Sequence, residues 1–296
     1  MRKQPAVWAA LQIFRRLCNA LPHRIAIALG DALGRVVGRY AKEKAMKARA
    51  RCSRVLGVGE HEAERIVAAS YGHFGRSLVE FMRMPKMAGC LDEVVTLEGE
   101  ENLKEALDLG RGVILLSAHI GNWEYGAALL ARRGFPVNAI GAEQRDPRIT
   151  GAIDDLRRAG GVRPLGKGID LREAVSCLKR GEVLAVLLDQ DARDRGVVSS
   201  FLGFPASTPV GPVRLSRKFG CPVVPIHAVR SADGWRFTTK IEPMLSGKEG
   251  EPFGEDIQYA VDRCNEVISG WIRENPEQWM RSEEHTSELQ SRSAIS

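Results

Sequence analysis

Two short, wholly apolar runs, GVILLS at 112–117 and VLAVLL at 183–188, constrain this chain most. Each is too short for a core helix and too apolar for a strand with one wet face, so each reads as a strand buried on both sides of a sheet. Helical patterns at 123–133, 147–159, 171–179, 208–219 and 255–274 alternate with strand patterns at 137–141, 223–229 and 235–241. This is α/β layering, a mixed central sheet flanked by helices. The first ninety residues read instead as helices over 7–21, 24–43, 44–56 and 59–84, the last opening on acidic residues and stopped by Pro85. The boundaries that follow are a helical N-terminal region at 1–90 and an α/β domain at 91–280. The Ser-rich stretch 281–296 is unlike anything before it, resembles a translated sequencing-adapter fragment, and is set aside from the functional reading.

Charge is distributed unevenly. Residues 1–54 carry thirteen Lys or Arg against Asp31 and Glu43, within a chain whose total is +6. A basic end of this kind suits an anionic surface, whether phospholipid, nucleic acid or an acidic protein, or else a solvated helical face. The apolar stretch from Ala6 to Leu21 is cut by Arg15 and Arg16, so it reads neither as a signal peptide nor as a spanning helix. Leu, Ile, Phe and Trp interspersed with Arg are the composition of a helix lying in a membrane interface, although Trp8, Leu11 and Phe14 at helical spacing suit a core stripe as well. Mean hydropathy is −0.19, against a polytopic membrane protein. The six cysteines are scattered without C-x-x-C or zinc-like spacing, which fits a reducing compartment.

Both buried strands end in polar clusters, and ligands of open α/β sheets bind at the carboxyl ends of strands. The first is SAHIGNWE, Ser117 to Glu124. His119 lies just past the strand, Gly121 permits a tight turn, Asn122 is placed to cap the next helix, and Glu124 falls in its first turn. The spacing H-x-x-x-x-E predicts a carboxylate returning to the imidazole, making His119 an oriented general base with Glu124 as partner. A His at a strand end and a Glu at a helix start is the structural alternative.

The second cluster, DQDARDRG at 189–196, brings Asp189, Gln190 and Asp191 to the next strand end. It suits a substrate site or a divalent cation, or Asp191 and Asp194 pair locally with Arg193 and Arg195. Gly203, Pro205, Thr208, Pro209, Gly211 and Pro212 predict a rigid loop feeding a helix N-terminus. Arg145 and Arg148 are candidates for holding phosphate-like oxygens. The candidate substrate-binding set is therefore Asn122, Arg145, Arg148, Asp189, Gln190, Asp191, Gly203 and Thr208, with no metal site assigned. G-x-S-x-G, H-E-x-x-H and G-x-G-x-x-G motifs are lacking.

HIGNWE after GVILLSA, then RDPR, LLDQD and FLGFPASTPVGPVRLSRKFGCPVVP, in that order, resemble the bacterial late lipid A acyltransferases, the lauroyl and myristoyl transferases. LPHRIAIALGDALG and SLVEFMRMP fit the N-terminal half of that family, and the resemblance runs from about Leu17 to Met280. It implies a glycerolipid-acyltransferase-like fold and an enzyme at the cytoplasmic face of the bacterial inner membrane. The implied reaction moves a fatty acyl group from acyl carrier protein to a hydroxyl of a lipid A precursor, with no cofactor. It also implies His119 as base, Glu124 as its partner, and Arg145 with the 189–191 cluster at the substrate. The Arg-interrupted N-terminus, where several members have a clear membrane helix, predicts a peripheral membrane-associating region touching inner-membrane phospholipids. Two other readings stand beside this one: a lysophospholipid or other glycolipid O-acyltransferase, and a non-catalytic basic protein binding membranes or nucleic acid. The first reading has no nucleic-acid partner.

Overall fold

The structure, a computed structural model, describes residues 4–141, 144–166, 171–248 and 251–279. Four long helices come first: α1 (Gln4–Ala20), α2 (His23–Tyr40), α3 (Lys42–Leu56) and α4 (Glu60–Met82). Short helices α5 (Met84–Met87) and α6 (Leu91–Val94) lead into β1 (Val95–Glu98), α7 (Glu100–Asp108), β2 (Val113–Ser117), α8 (Trp123–Arg132) and β3 (Val137–Ile140). There follow α9 (Pro147–Ala159), β4 (Arg163–Leu165), α10 (Leu171–Lys179), β5 (Val183–Leu187) and the hairpin β6 (Val197–Phe201) and β7 (Phe204–Thr208). The chain closes with α11 (Gly211–Phe219), β8 (Val223–Arg230), β9 (Phe237–Ile241) and α12 (Ile257–Glu274).

Seven strands form one sheet in the order β1-β9-β8-β2-β5-β3-β4. All pairings are parallel except β8 with β9, so the expected mixed α/β architecture is present. Every residue of β2 is buried, as its composition demanded. Its side chains alternate between two cores. Ile114 and Leu116 face Leu178, Val213 and Ile268 on one side, while Val113 and Leu115 face Leu129, Tyr125 and Leu103 on the other.

Several expected elements differ. The helix expected from Thr208 begins at Gly211, and Thr208 ends β7 instead. The expected rigid loop is largely that hairpin, turning at Leu202 and Gly203 with φ of 55° and 89°. Two consecutive left-handed residues match the right-handed twist of the flanking strands. Pro85 does not terminate α4, which ends at Met82; it sits in the first turn of α5, where a missing N–H costs nothing. The short β1 and β4 and the helix α7 had no long periodic pattern to announce them. The residues at 281–296 lie outside the described part of the chain.

The N-terminal helices are fastened to the sheet through α4. Gly34 of α2 lies so close to α4 that a Cβ there would meet the Tyr71 carbonyl oxygen at 2.1 Å. Further along α4, Glu80 is fully buried and receives both Nη atoms of Arg230 from β8, at 2.6 and 2.7 Å. Asn122 Nδ2 donates to the same carboxylate at 2.9 Å, and Tyr125 Oη donates to the Glu80 carbonyl at 3.2 Å. Nearby Ser77 Oγ donates to the Gly121 carbonyl at 2.9 Å. Glu80→Ala or Arg230→Ala leaves one buried charge unpaired and should cost about 3–5 kcal/mol in urea unfolding. The double replacement Glu80→Leu with Arg230→Met should cost less than either single one, and equal or additive losses would contradict a buried pair.

Candidate active site

The turn after β2 is shaped by one residue above all. Gly121 has φ of 59°, and a Cβ on it would lie 1.6 Å from the Ala228 carbonyl oxygen. Only glycine lets the chain fold back here. Gly121 N–H donates to Gln278, Asn122 N–H donates to Ala228, and Ile120 N–H donates to Ala118. The turn is therefore clamped between β8 and the segment after α12, and His119 is presented at the strand end.

The imidazole is held by Asp189, not by Glu124. His119 Nδ1 lies 2.8 Å from Asp189 Oδ1, and His119 N–H donates to Oδ2 at 2.9 Å. Trp279 Nε1 donates to Oδ2, also at 2.9 Å. The reason is register: β2 and β5 run parallel with Ser117 opposite Leu187, so His119 and Asp189 each stand two residues past paired positions. The Asp189 side chain is 1% exposed and that of His119 is 19% exposed, so the carboxylate is sealed while the ring reaches solvent. With Nδ1 committed, Nε2 is the nitrogen left for a ligand.

Burial by itself lowers the proton affinity of the ring, but the Asp189 charge and hydrogen bond outweigh it, with Glu124 adding a smaller pull, and the pKa stands above its ordinary 6.5. For Asp189, burial pushes upward, yet the His119 charge and the bonds from His119 and Trp279 keep it below the ordinary carboxylate value.

Glu124 turns the other way along α8 and meets Arg157 of α9, with Nη2 to Oε1 at 2.7 Å and Nε to both oxygens at 3.2 Å. The Arg157 side chain is 10% exposed, and its buried Nη1 has no hydrogen-bond partner among the described residues. The two residues are among those lining a mainly apolar slot of about 40 Å³ between α8 and the sheet. Small residues, among them Gly126, Ala127, Ala139 and Ala185, leave this space. Its wall includes Trp123, whose ring meets His119 edge-on at 5.0 Å.

Of the other expected site residues, Asn122 is buried and spends its carboxamide on the fold, accepting from Tyr125 N–H and donating to Glu80. Asp191 accepts from the Arg193 N–H at 2.8 Å, and Gln190 is half-buried beside Asp189. Arg145 is exposed, and Arg148 pairs with Asp146, the cap of its own helix. Gly203 is at the hairpin tip, and Thr208 is buried with Asn265 Nδ2 donating to its Oγ1 at 2.7 Å. The structure thus gathers His119, Asp189, Glu124 and Arg157, and gives Thr208, Asn122 and Gly203 work within the fold. Sequence reasoning passed over Arg157 and Trp279. Arg157 is one basic residue in an amphipathic helix that also carries Arg148 and Arg158, and Trp279 stands outside any periodic element.

The structure thus sets an oriented imidazole at the carboxyl end of a central parallel strand, where ligands of such sheets bind, and packs it against Trp123 of a mainly apolar slot. The sequence model of the bacterial lipid A biosynthesis acyltransferases matches residues 2–281, and the chain belongs to that family. It is an acyltransferase acting on glycolipids. It is 29% identical over 256 residues to a phosphatidylinositol mannoside acyltransferase of Mycobacterium tuberculosis, covering 81% of this chain and 79% of that one. It is 26% identical over 272 residues to the lipid A biosynthesis palmitoleoyltransferase of Escherichia coli, covering 88% and 84%.

Asp189→Asn removes the larger upward pull on the His119 pKa, leaving the smaller one of Glu124 against the downward pull of burial. If activity requires the neutral ring, the acid limb of the pH–rate curve should move to lower pH, while the plateau rate falls by as much as about 10⁴-fold through loss of the correct tautomer. A limb that stays in place would show that Asp189 does not set the ring's protonation.

Proposed function

We propose that the protein transfers a fatty acyl chain from a carrier-protein thioester to a hydroxyl of a lipid A precursor, with His119 as general base. The observation that carries this reading is the Asp189-held imidazole, its side chain 19% exposed and its ring against Trp123 of the apolar slot. The acceptor hydroxyl gives its proton to Nε2 as its oxygen bonds to the thioester carbon, and the imidazolium then returns that proton to the departing thiolate. Asp189 fixes the tautomer and stabilises the cation, as the third member does in hydrolase triads, with the substrate hydroxyl in place of serine. The amides of His119, Ile120, Gly121 and Asn122 are engaged within the chain, so the turn backbone does not supply an oxyanion site. Arg157 Nη1, buried and without a partner at the slot, is the donor we assign to the developing oxyanion, with Glu124 holding the guanidinium in place. The slot receives the first carbons of the acyl chain.

Attachment to the membrane is peripheral in this reading. Among the described residues no helix is long and apolar enough to cross a membrane. Ile13 and Leu17 of α1 and Val36, Val37 and Tyr40 of α2 are nevertheless exposed. They lie in the basic part of the chain, a combination that suits an anionic membrane surface. Ile13→Asp combined with Val37→Asp should weaken flotation with phosphatidylglycerol vesicles by at least about tenfold, since each apolar side chain contributes roughly 1.5–3 kcal/mol when buried. Unchanged flotation would remove this face from the membrane contact.

The decisive assay offers a lipid A precursor, a phosphatidylinositol mannoside and lysophosphatidic acid to the purified protein, each with acyl carrier protein and coenzyme A thioesters. Transfer to the lipid A precursor from acyl carrier protein is expected, with loss of about 10²- to 10⁴-fold in His119→Ala. Preference for lysophosphatidic acid would replace the acceptor assignment, and near-full turnover by His119→Ala would replace the base.

A further inference from the structure

A second, larger cavity of about 110 Å³ has Trp279 in its wall. Its walls include Val55 of α3, Ile66 and Val67 of α4, Leu202 at the hairpin tip, Ile272 of α12, and Trp279. It is of the same order as the ~150 Å³ apolar cavities that stay dry and take up small hydrocarbons. The apolar side chains of such walls lack dispersion partners on the cavity side unless an apolar group fills it.

One lining residue is charged. Arg51 of α3 is half-buried in this wall and makes no ion pair among the described residues, whereas its neighbours Lys47 and Arg49 are paired with Glu43 and Glu64. Arg54, one turn on, has its guanidinium over the Phe204 ring at 4.4 Å. An apolar cavity with one uncommitted guanidinium complements an amphiphile whose head is anionic, and arginine matches phosphate oxygens better than a point charge does.

We propose that this cavity binds one hydrocarbon chain of an anionic membrane lipid, with the lipid's phosphate held by Arg51. The site is distinct from the slot assigned to the transferred chain. It shares Trp279 with the His119–Asp189 pair, so its occupant packs against the indole that donates to Asp189. The proposal needs no particular reaction at His119.

The test is photolabelling of the full chain with lysophosphatidic acid carrying a diazirine near the end of a saturated sixteen-carbon chain, followed by peptide mapping. Adducts on the segments 52–56 and 66–71 are expected in the wild type and equally in His119→Ala. Arg51→Ala should lower the yield about tenfold with this probe and leave unchanged the yield with an uncharged long-chain alcohol carrying the same diazirine. Adducts confined to the segments 123–127 and 137–140 would overturn the proposal. So would labelling that appears only after residues 281–296 are removed. A fatty acid probe that labels as well as the phosphate probe would overturn the assignment to a lipid phosphate. Labelling requires no turnover, so an active protein that does not label sinks this site alone, and an inactive protein that labels sinks only the transfer reading.

Discussion

The Asp189 carboxylate is the constraint around which the site is built. One oxygen meets the imidazole of His119, and the other receives the His119 backbone N–H and the indole of Trp279. A buried anion is tolerated only when its lone pairs are satisfied, and here the groups that satisfy it come from two stretches of chain other than its own. Strand β5, the turn after β2 and the segment after α12 are fixed relative to one another by the need to keep one charge solvated. The ring that results has a fixed tautomer and a fixed direction, which a base needs before any substrate arrives.

The parts of the fold legible in the sequence are those whose composition leaves one physical choice. VILLS and VLAVL have no polar face and too few residues for a helix, and both became central strands. The long helices α1 to α4 and α12 carried sustained periodicity. The hairpin of β6 and β7 was read as a loop because its glycine and prolines marked a turn without showing that the flanking residues pair. The strands β1 and β4, four and three residues long, have too little pattern to stand out.

For the site, His119 was legible because a histidine at the end of a buried strand has few structural uses. Its partner was misread for a physical reason. Five residues of sequence favoured Glu124, but the first turn of α8 directs that side chain towards α9, and Arg157 meets it there. Asp189, seventy residues away in the chain, is a neighbour only because β5 lies next to β2 in the sheet. Strand order is decided by packing among all the layers, and no local pattern around His119 carries it. Arg157 and Trp279 have the same origin, since each acts through a contact that exists only after the layers assemble.

The Glu80–Arg230 pair bears on how this chain may be taken apart. A fragment starting after residue 90 would retain Arg230, with its side chain 1% exposed in the intact fold, and lose its counter-ion. The same cut would free the Asn122 amide, which caps α8 at the turn bearing His119. Trimming the N-terminal helices to obtain a smaller core would therefore disturb, from behind, the turn that carries His119, and the whole chain is the form in which that turn keeps its supports.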